Sequence, residues 1–280
     1  MKPDASDGKD FDATSIRADL QTQRIGNRIE FFSSADSSQD LAVELAAKDA
    51  PEGLVVVVDH QRAGRGRSPD RAWESSEGVN LTCSILFRPP WKLEEANRLQ
   101  FMSAVAAART VKAASGIDVD LLWPNDLWVG GKKLGGMILS ISSSEENTLE
   151  YAVIGIGVNL NAELRSFGKE VSEMATSLKI VSGSPVDRSK FTAKLLNELD
   201  ELYEDLLANG FDRVREAWLE RSPEKGEREV RLEKVVKVER VKTEEIHGRP
   251  KGIDPAGKLI LELRDGREVL IQDAAKVDRT

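Results

Sequence analysis

The chain has 280 residues, 31% of them charged, and a formal net charge of −8. That length suits one large domain plus a small one, and the acidic balance argues against a general nucleic-acid binder, because affinity for phosphate backbones comes from a basic surface. Cys83 is the only cysteine, which excludes an internal disulfide or a cysteine-based metal cluster and points to a reduced, cytoplasmic setting. No apolar run is long enough to cross a bilayer, and the acidic start MKPDASDGKDFD is no signal peptide.

Residues 1–24 read as a disordered tail, polar and without periodicity, too short for a helix-turn-helix domain and expected to be dispensable for activity. Ile29–Phe32 is a short strand, and the serines and aspartate of 33–39 can cap a helix carrying Leu41 and Leu45. Ser37 and Ser38 can act as caps only, or can also hydrogen-bond a small polar ligand at the helix start.

Leu54–Val58 is a buried strand that empties into Asp59–Trp73, where Arg62, Arg65, Arg67 and Arg71 lie among Gly64, Gly66 and Pro69. Arginine carries a rigid fork of donors that suits phosphate and carboxylate oxygens, and glycine lets backbone N–H groups approach an anion. Trp73 adds a flat face on which a purine can stack. A lone GRG would be a solvated turn; after a strand, before a tryptophan and in an acidic chain, the loop reads as an anion site for a nucleotide-like ligand.

Val79–Phe87 is a second strand, with Cys83 as a core residue and not a nucleophile. Glu94–Ala114 is a long helix with Leu99, Met102, Val105 and Ala106 on one face. The runs 121–129 and 132–139, joined at Gly130-Gly131, form a hairpin. Gly135-Gly136 inside its second strand suggests a ligand close to the backbone, with Lys133 beside it to meet a carboxylate. Asn125 and Asp126 after Pro124 are expected to shape a turn. Tyr151–Asn161 is a buried strand with Gly155 and Gly157 on one face, and its G-x-G-x-N lacks the third glycine of a dinucleotide fingerprint. Asn159 either bonds a ligand or turns the chain.

Asp187 or Ser189 caps a helix whose Phe191, Leu195, Leu199, Leu202 and Leu206 recur at helical spacing, and a second helix covers Phe211–Arg221. The clearest linker is 222–226. From Glu227 onward apolar and charged residues alternate in four or five short strands, with tight turns at 252–257 and at Asp265-Gly266, the size of a small SH3-like β-barrel.

The ordered set D-S-S-Q (Asp36–Gln39), H-Q-R-A-G-R-G-R-x₃-R-x-W (His60–Trp73), W-P-N-D-L (Trp123–Leu127), K-L-G-G (Lys133–Gly136), G-I-G-V-N-L-N (Gly155–Asn161) and G-x₃-G-I-D-x₂-G-x-L (Gly248–Leu259) resembles the biotin protein ligases from about residue 26 to the C-terminus. With no DNA-binding domain ahead of those motifs, the chain is similar to the monofunctional branch of the family.

The resemblance implies an α+β fold. A mixed β-sheet catalytic domain flanked by helices, like that of class II aminoacyl-tRNA synthetases, would cover 25–222, with a C-terminal SH3-like β-barrel over 227–280. It implies ATP and biotin as substrates, Mg²⁺ with ATP, no metal held by the protein, and a biotin carboxyl carrier protein or domain as partner. The product is biotinyl-5′-AMP, from which biotin passes to a carrier lysine.

By the same resemblance Arg67 and Lys133 are catalytic. Ser37, Ser38, Gln39, Gln61, Gly64, Arg65, Arg67, Lys133, Gly135 and Gly136 hold biotin. Arg65, Arg67, Arg71, Trp73, Asn125, Asp126 and Asn159 hold the nucleotide. The loop from Gly64 to about Arg71 closes over both. Two residues depart from the family pattern: Gln39 stands where Asn is frequent, and Leu122 where a lysine commonly precedes Trp-Pro-Asn-Asp. Sheet edges in such folds often pair, so a homodimer is an open expectation. Lipoate–protein ligase and a non-catalytic biotin or biotinyl-adenylate binder are the alternatives.

Overall fold

The computed structural model describes residues 11–67, 72–74, 76–124, 126–223, 230–236, 242–271 and 274–279. A seven-stranded mixed sheet forms its centre, in the order β1-β2-β3-β7-β6-β5-β4. The strands are β1 (Arg28–Ala35), β2 (Leu54–Gln61), β3 (Leu81–Phe87), β4 (Asp120–Leu122), β5 (Asp126–Val129), β6 (Lys132–Ser143) and β7 (Leu149–Val158). β1 and β2 run parallel and the other neighbours run antiparallel, so the mixed sheet expected from the sequence is present.

The unbroken run Leu54–Val58 is explained by burial on both faces. Val55 and Val57 enter the main core beneath the long helices α3 (Asn97–Ser115) and α6 (Arg188–Asn209), while Leu54, Val56 and Val58 meet Ala42 and Ala46 of α2 (Ser38–Ala47). In α6 the leucine stripe is buried as its spacing required, and the Asp187 carboxylate accepts from the Lys190 N–H at the cap.

Of the tail expected over 1–24, the described residues 11–24 are ordered. Helix α1 (Ala13–Arg17) begins at Asp12, whose side chain accepts from the Ser15 N–H, and it buries Ile16 completely. A few apolar residues, Phe11, Ala13, Ile16 and Leu20, pack on the main core and outweigh the polar composition. The Asp200 carboxylate then accepts from the backbone N–H groups of Gln23, Arg24 and Ile25, at 2.7, 3.0 and 2.8 Å. Ile16→Ala should lower unfolding stability by about 2–4 kcal/mol, the range for an aliphatic truncation in a packed core. A denaturant midpoint equal to wild type would show that this segment is not part of the cooperative unit.

Glu52 ties the same region together. Burial alone would raise its carboxyl. Hydrogen bonds from Tyr203 Oη (2.6 Å), the Arg88 N–H (2.8 Å) and Arg24 (2.6 Å) outweigh burial and hold it below its usual 4.5. A depressed folded-state value stabilises the protein above the unfolded carboxylate range, and that contribution is lost as pH falls through the folded value. Glu52→Gln should therefore flatten the acid limb of the stability profile. An acid limb identical to wild type in denaturant titrations across pH would remove Glu52 from that role.

Beyond helices α4 (Lys169–Ser172), α5 (Leu178–Ser182) and α7 (Asp212–Arg221), the C-terminal strands form a five-stranded antiparallel sheet. Its order is β11-β10-β9-β8-β12, from β8 (Val230–Val236), β9 (Lys242–Ile253), β10 (Leu259–Leu263), β11 (Glu268–Ile271) and β12 (Ala274–Arg279). This is the small β unit expected from the alternation. The charged and glycine-containing stretch of β9 carries no period of two, so spacing alone does not mark it as a strand. Both expected turns are found, with Asp254 and Lys258 closing one and Leu263 and Arg267 the other. Ile253, Leu259, Leu261 and Ile271 join the main core, and the Arg215 guanidinium donates to Ile253 O at 2.7 Å. Part of the expected linker, 224–226, lies outside the described residues.

Candidate active site

Side chains alternate along β3. Leu81, Cys83 and Ile85 enter the main core, which leaves Thr82 and Ser84 on the opposite face. Burial pushes the Cys83 thiol up to about 12, so it stays an uncharged core group. On the face of Thr82, beyond the start of α2, lies a cleft of about 940 Å³ counting its open mouth, within the range of small-molecule sites. Its floor is built from β3, β6 and β7, its closed end from Ser37–Gln39 and Gln61, and its rim from Arg65, Gly66, Arg67, Ala72 and Trp73.

The arginine loop is pinned at its base. Trp73 N–H donates to Gly64 O at 3.0 Å, and Arg65 bridges Ala72 in antiparallel fashion. A Cβ on Gly64 would stand 2.4 Å from Trp73 O, so only glycine permits this closure. The Trp73 indole lies on Gly157, where a Cβ would be 2.6 Å from Cε2. Its face therefore covers β7 and walls the cleft, while its Nε1 is buried with no hydrogen-bond partner among the described residues. Arg65 pairs with Asp40 at 3.0 Å in the first turn of α2. Both side chains are largely exposed, so the pair is weak and can open. Arg62 points away from the cleft, to Asp36.

On the opposite rim, Lys133 is held at both backbone ends. Its N–H donates to Met174 O at 2.7 Å, and its carbonyl accepts from Thr176 N–H at 2.9 Å. Its ammonium stands 2.7 Å from Asp126 Oδ1, and since that oxygen makes no aligned hydrogen bond among the described residues, the pairing is coulombic. The cleft thus runs from a closed end of neutral hydroxyls and amides to a mouth lined by Arg65, Arg67 and Lys133. Such a gradient suits a molecule with a polar uncharged head and an anionic tail.

Of the residues singled out from the sequence, Ser37, Ser38, Gln39, Gln61, Arg65, Arg67, Trp73, Asp126, Lys133 and Gly136 meet in this one cleft. Ser37 both caps α2, accepting from Asp40 N–H, and lines the site. Gly64 closes the loop without lining the cleft. Gly135 does not share the floor: it is one residue from Gly136 on a strand and faces Gly157 O and Leu127 on the other side. Asn159 does not line the cleft; its Nδ2 donates to Thr176 O at 3.0 Å and its N–H to Leu134 O at 2.9 Å. Asn125 and Arg71 lie outside the described residues. Leu122 is buried and does not line the cleft.

The sequence reading passed over Thr82, Ser84, Trp123, Met137 and Ile138. Thr82 and Ser84 had left a signal, being hydroxyls on alternate positions of an otherwise apolar strand.

The family model of the biotin/lipoate A/B protein ligases matches residues 31–159, and that of the biotin protein ligase C-terminal domain matches 232–272. The chain is similar to the bifunctional ligase/repressor BirA of Bacillus spizizenii, 35% identical over 253 residues that cover 90% of this chain and 75% of that protein. It is also similar to the biotin--[acetyl-CoA-carboxylase] ligase of Paracoccus denitrificans, 33% identical and covering 84% and 94% of the two chains. Among solved structures, the biotin protein ligase from Aquifex aeolicus in complex with biotin and ATP superposes with a TM-score of 0.74 at 24% identity, covering 91% of this chain and all of that one, and shows the same fold.

Proposed function

Since the chain belongs to the biotin protein ligase family and is a ligase, we propose that its cleft activates biotin with ATP and passes it to a lysine of a biotin carboxyl carrier domain in the cytoplasm. The observation that carries this reading is the polarity of the cleft. Ser38 and Gln61 stand at a closed uncharged end, and Lys133, Arg65 and Arg67 at the mouth, so a ureido head and a carboxylate tail are each met by suitable groups.

In the first step a biotin carboxylate oxygen attacks the α-phosphorus of ATP. The bond to the bridging oxygen breaks, pyrophosphate leaves, and a mixed anhydride forms. Two anions must approach, and negative charge grows on the phosphate oxygens as they do. Fixed cations at that point lower the barrier most. Lys133 draws in the carboxylate, with Asp126 beside its ammonium at 2.7 Å. Arg67 and Arg65 meet the phosphate, Arg65 by leaving Asp40, with Arg71 assigned to the same side. Mg²⁺ arrives on the nucleotide's own phosphates.

In the second step a neutral carrier amine attacks the acyl carbon. AMP departs with the bonding pair and the amine loses a proton. The loop from Gly64 to about Arg71 shields the anhydride from water until then. Trp73, already seated on Gly157, offers its outer face as a wall. The catalytic unit is assigned to 25–222 together with the helix at 13–17, and the β unit to 227–280.

The test is to incubate the protein with ATP, labelled biotin and a carrier domain, following pyrophosphate and label. Label on carrier lysine with stoichiometric pyrophosphate is expected. Transfer of lipoate in place of biotin, or tight binding without transfer, would overturn the reading.

A further inference from the structure

At the closed end of the cleft the hydroxyls are chained. The Gln39 amide nitrogen donates to Val153 O at 3.0 Å and to Ser140 Oγ at 2.9 Å. A backbone carbonyl only accepts, so the NH₂ end of this amide must face Val153, which turns Oε1 the other way. There Ser84 Oγ donates to it at 3.0 Å. Ser84 has one hydroxyl proton, and Gln39 has taken it. In the 2.9 Å contact between Ser38 Oγ and Ser84 Oγ, Ser38 is therefore the donor. All three residues are buried, so the reverse order would strand Oε1 without a donor, at the cost of desolvating it.

We propose that Gln39 is a positioning residue that fixes the direction of this proton chain, so that Ser38 presents only lone pairs to the cleft and selects a ligand with an N–H at its head. The neighbouring contact completes the pattern. Ser38 N–H donates to Gln61 Oε1 at 2.8 Å, which leaves Gln61 its NH₂ group as the donor to offer. An acceptor beside a donor matches the N–H and C=O edge of a cyclic urea. The inference rests on the biotin reading and adds to it the residue that enforces the choice. Neither amide hydrogen of Gln39 is left for direct ligand contact, the role the sequence had suggested for it. The longer side chain fits because Gly155 has no Cβ: one would stand 2.5 Å from Gln39 Oε1.

The experiment compares the dissociation constants of biotin and of its two cyclic carbamate analogues, in each of which one ureido N–H is replaced by oxygen. It is run by calorimetry on the wild-type chain, Gln39→Met and Ser84→Ala, with thermal unfolding confirming that each is folded. Wild type should reject one analogue by about tenfold or more, since two acceptors would then face each other without a proton between them. In both variants the Ser38 proton is free to turn towards the cleft, and the discrimination should shrink to about threefold or less, a change that simple loosening of the site would not produce selectively. Folded variants that keep the wild-type ratio, or a wild type that binds biotin without discrimination, would overturn the proton chain alone. A wild type that binds neither compound would overturn the biotin reading and the chain with it. Should Gln39→Met not fold, Ser84→Ala decides the matter, because it removes the middle link without touching Val153.

Discussion

Lys133→Ala is expected to slow formation of the adenylate by about 10²- to 10³-fold, the loss seen when one preorganised electrostatic donor is removed from a reacting centre. The side chain is suited to that role by its mounting. Its backbone is gripped on both sides by Met174 and Thr176, and its ammonium lies 2.7 Å from Asp126 at the cleft. Little motion is then needed when a carboxylate arrives. Lys133→Arg would keep the charge but spread it over a broad planar fork, and should recover only part of the rate. The measurement is isotope exchange between pyrophosphate and ATP in the presence of biotin. If exchange were normal and only transfer from preformed adenylate to the carrier suffered, Lys133 would belong to the second step and its assignment to the biotin carboxylate would be wrong.

Arg67→Ala is expected to release the adenylate about ten- to a hundredfold faster, because a hydrogen bond to a charged group contributes about 1.5–3 kcal/mol net. The leaked anhydride should then label lysines on bystander proteins, which the wild type protects against. Arg62→Ala is the matched control: the same residue type in the same loop, paired to Asp36 and outside the cleft. A release rate for Arg67→Ala equal to that of the control would remove Arg67 from the phosphate. The comparison tests position and not merely charge, since both variants change the net charge by the same amount.

Legibility in the sequence followed the range of the forces involved. The leucine stripe of α6, the double-sided strand β2 and the alternating strand β10 are written in spacing, and burial at those positions is what the structure shows. The helix at Ala13–Arg17 was not legible. Its stability comes from Phe11, Ala13, Ile16 and Leu20 packing on the main core, from Ser15 meeting Ser189, and from a carboxylate at Asp200 that only the folded chain brings to Gln23–Ile25. The same limit applied to Gln39. As a residue it reads as a longer amide in a binding motif, yet whether its amide faces the ligand or the sheet depends on Val153, Ser140 and Gly155, all more than a hundred positions away.

The two glycine pairs show where the division falls. From Gly135-Gly136 the sequence by itself marked a strand where something approaches the backbone, from Gly155 and Gly157 only a buried strand with both glycines on one face, and from the cationic loop and Lys133 the charge of the ligand. Those are local properties of residue type and period. What approaches each glycine was decided only by the tertiary structure: Gly157 O against Gly135, Gln39 against Gly155, the Trp73 indole against Gly157. Close packing between segments far apart in the chain has no local signature, because the same missing Cβ admits a ligand, a carbonyl or an aromatic ring equally well, and only the completed sheet determines which is present.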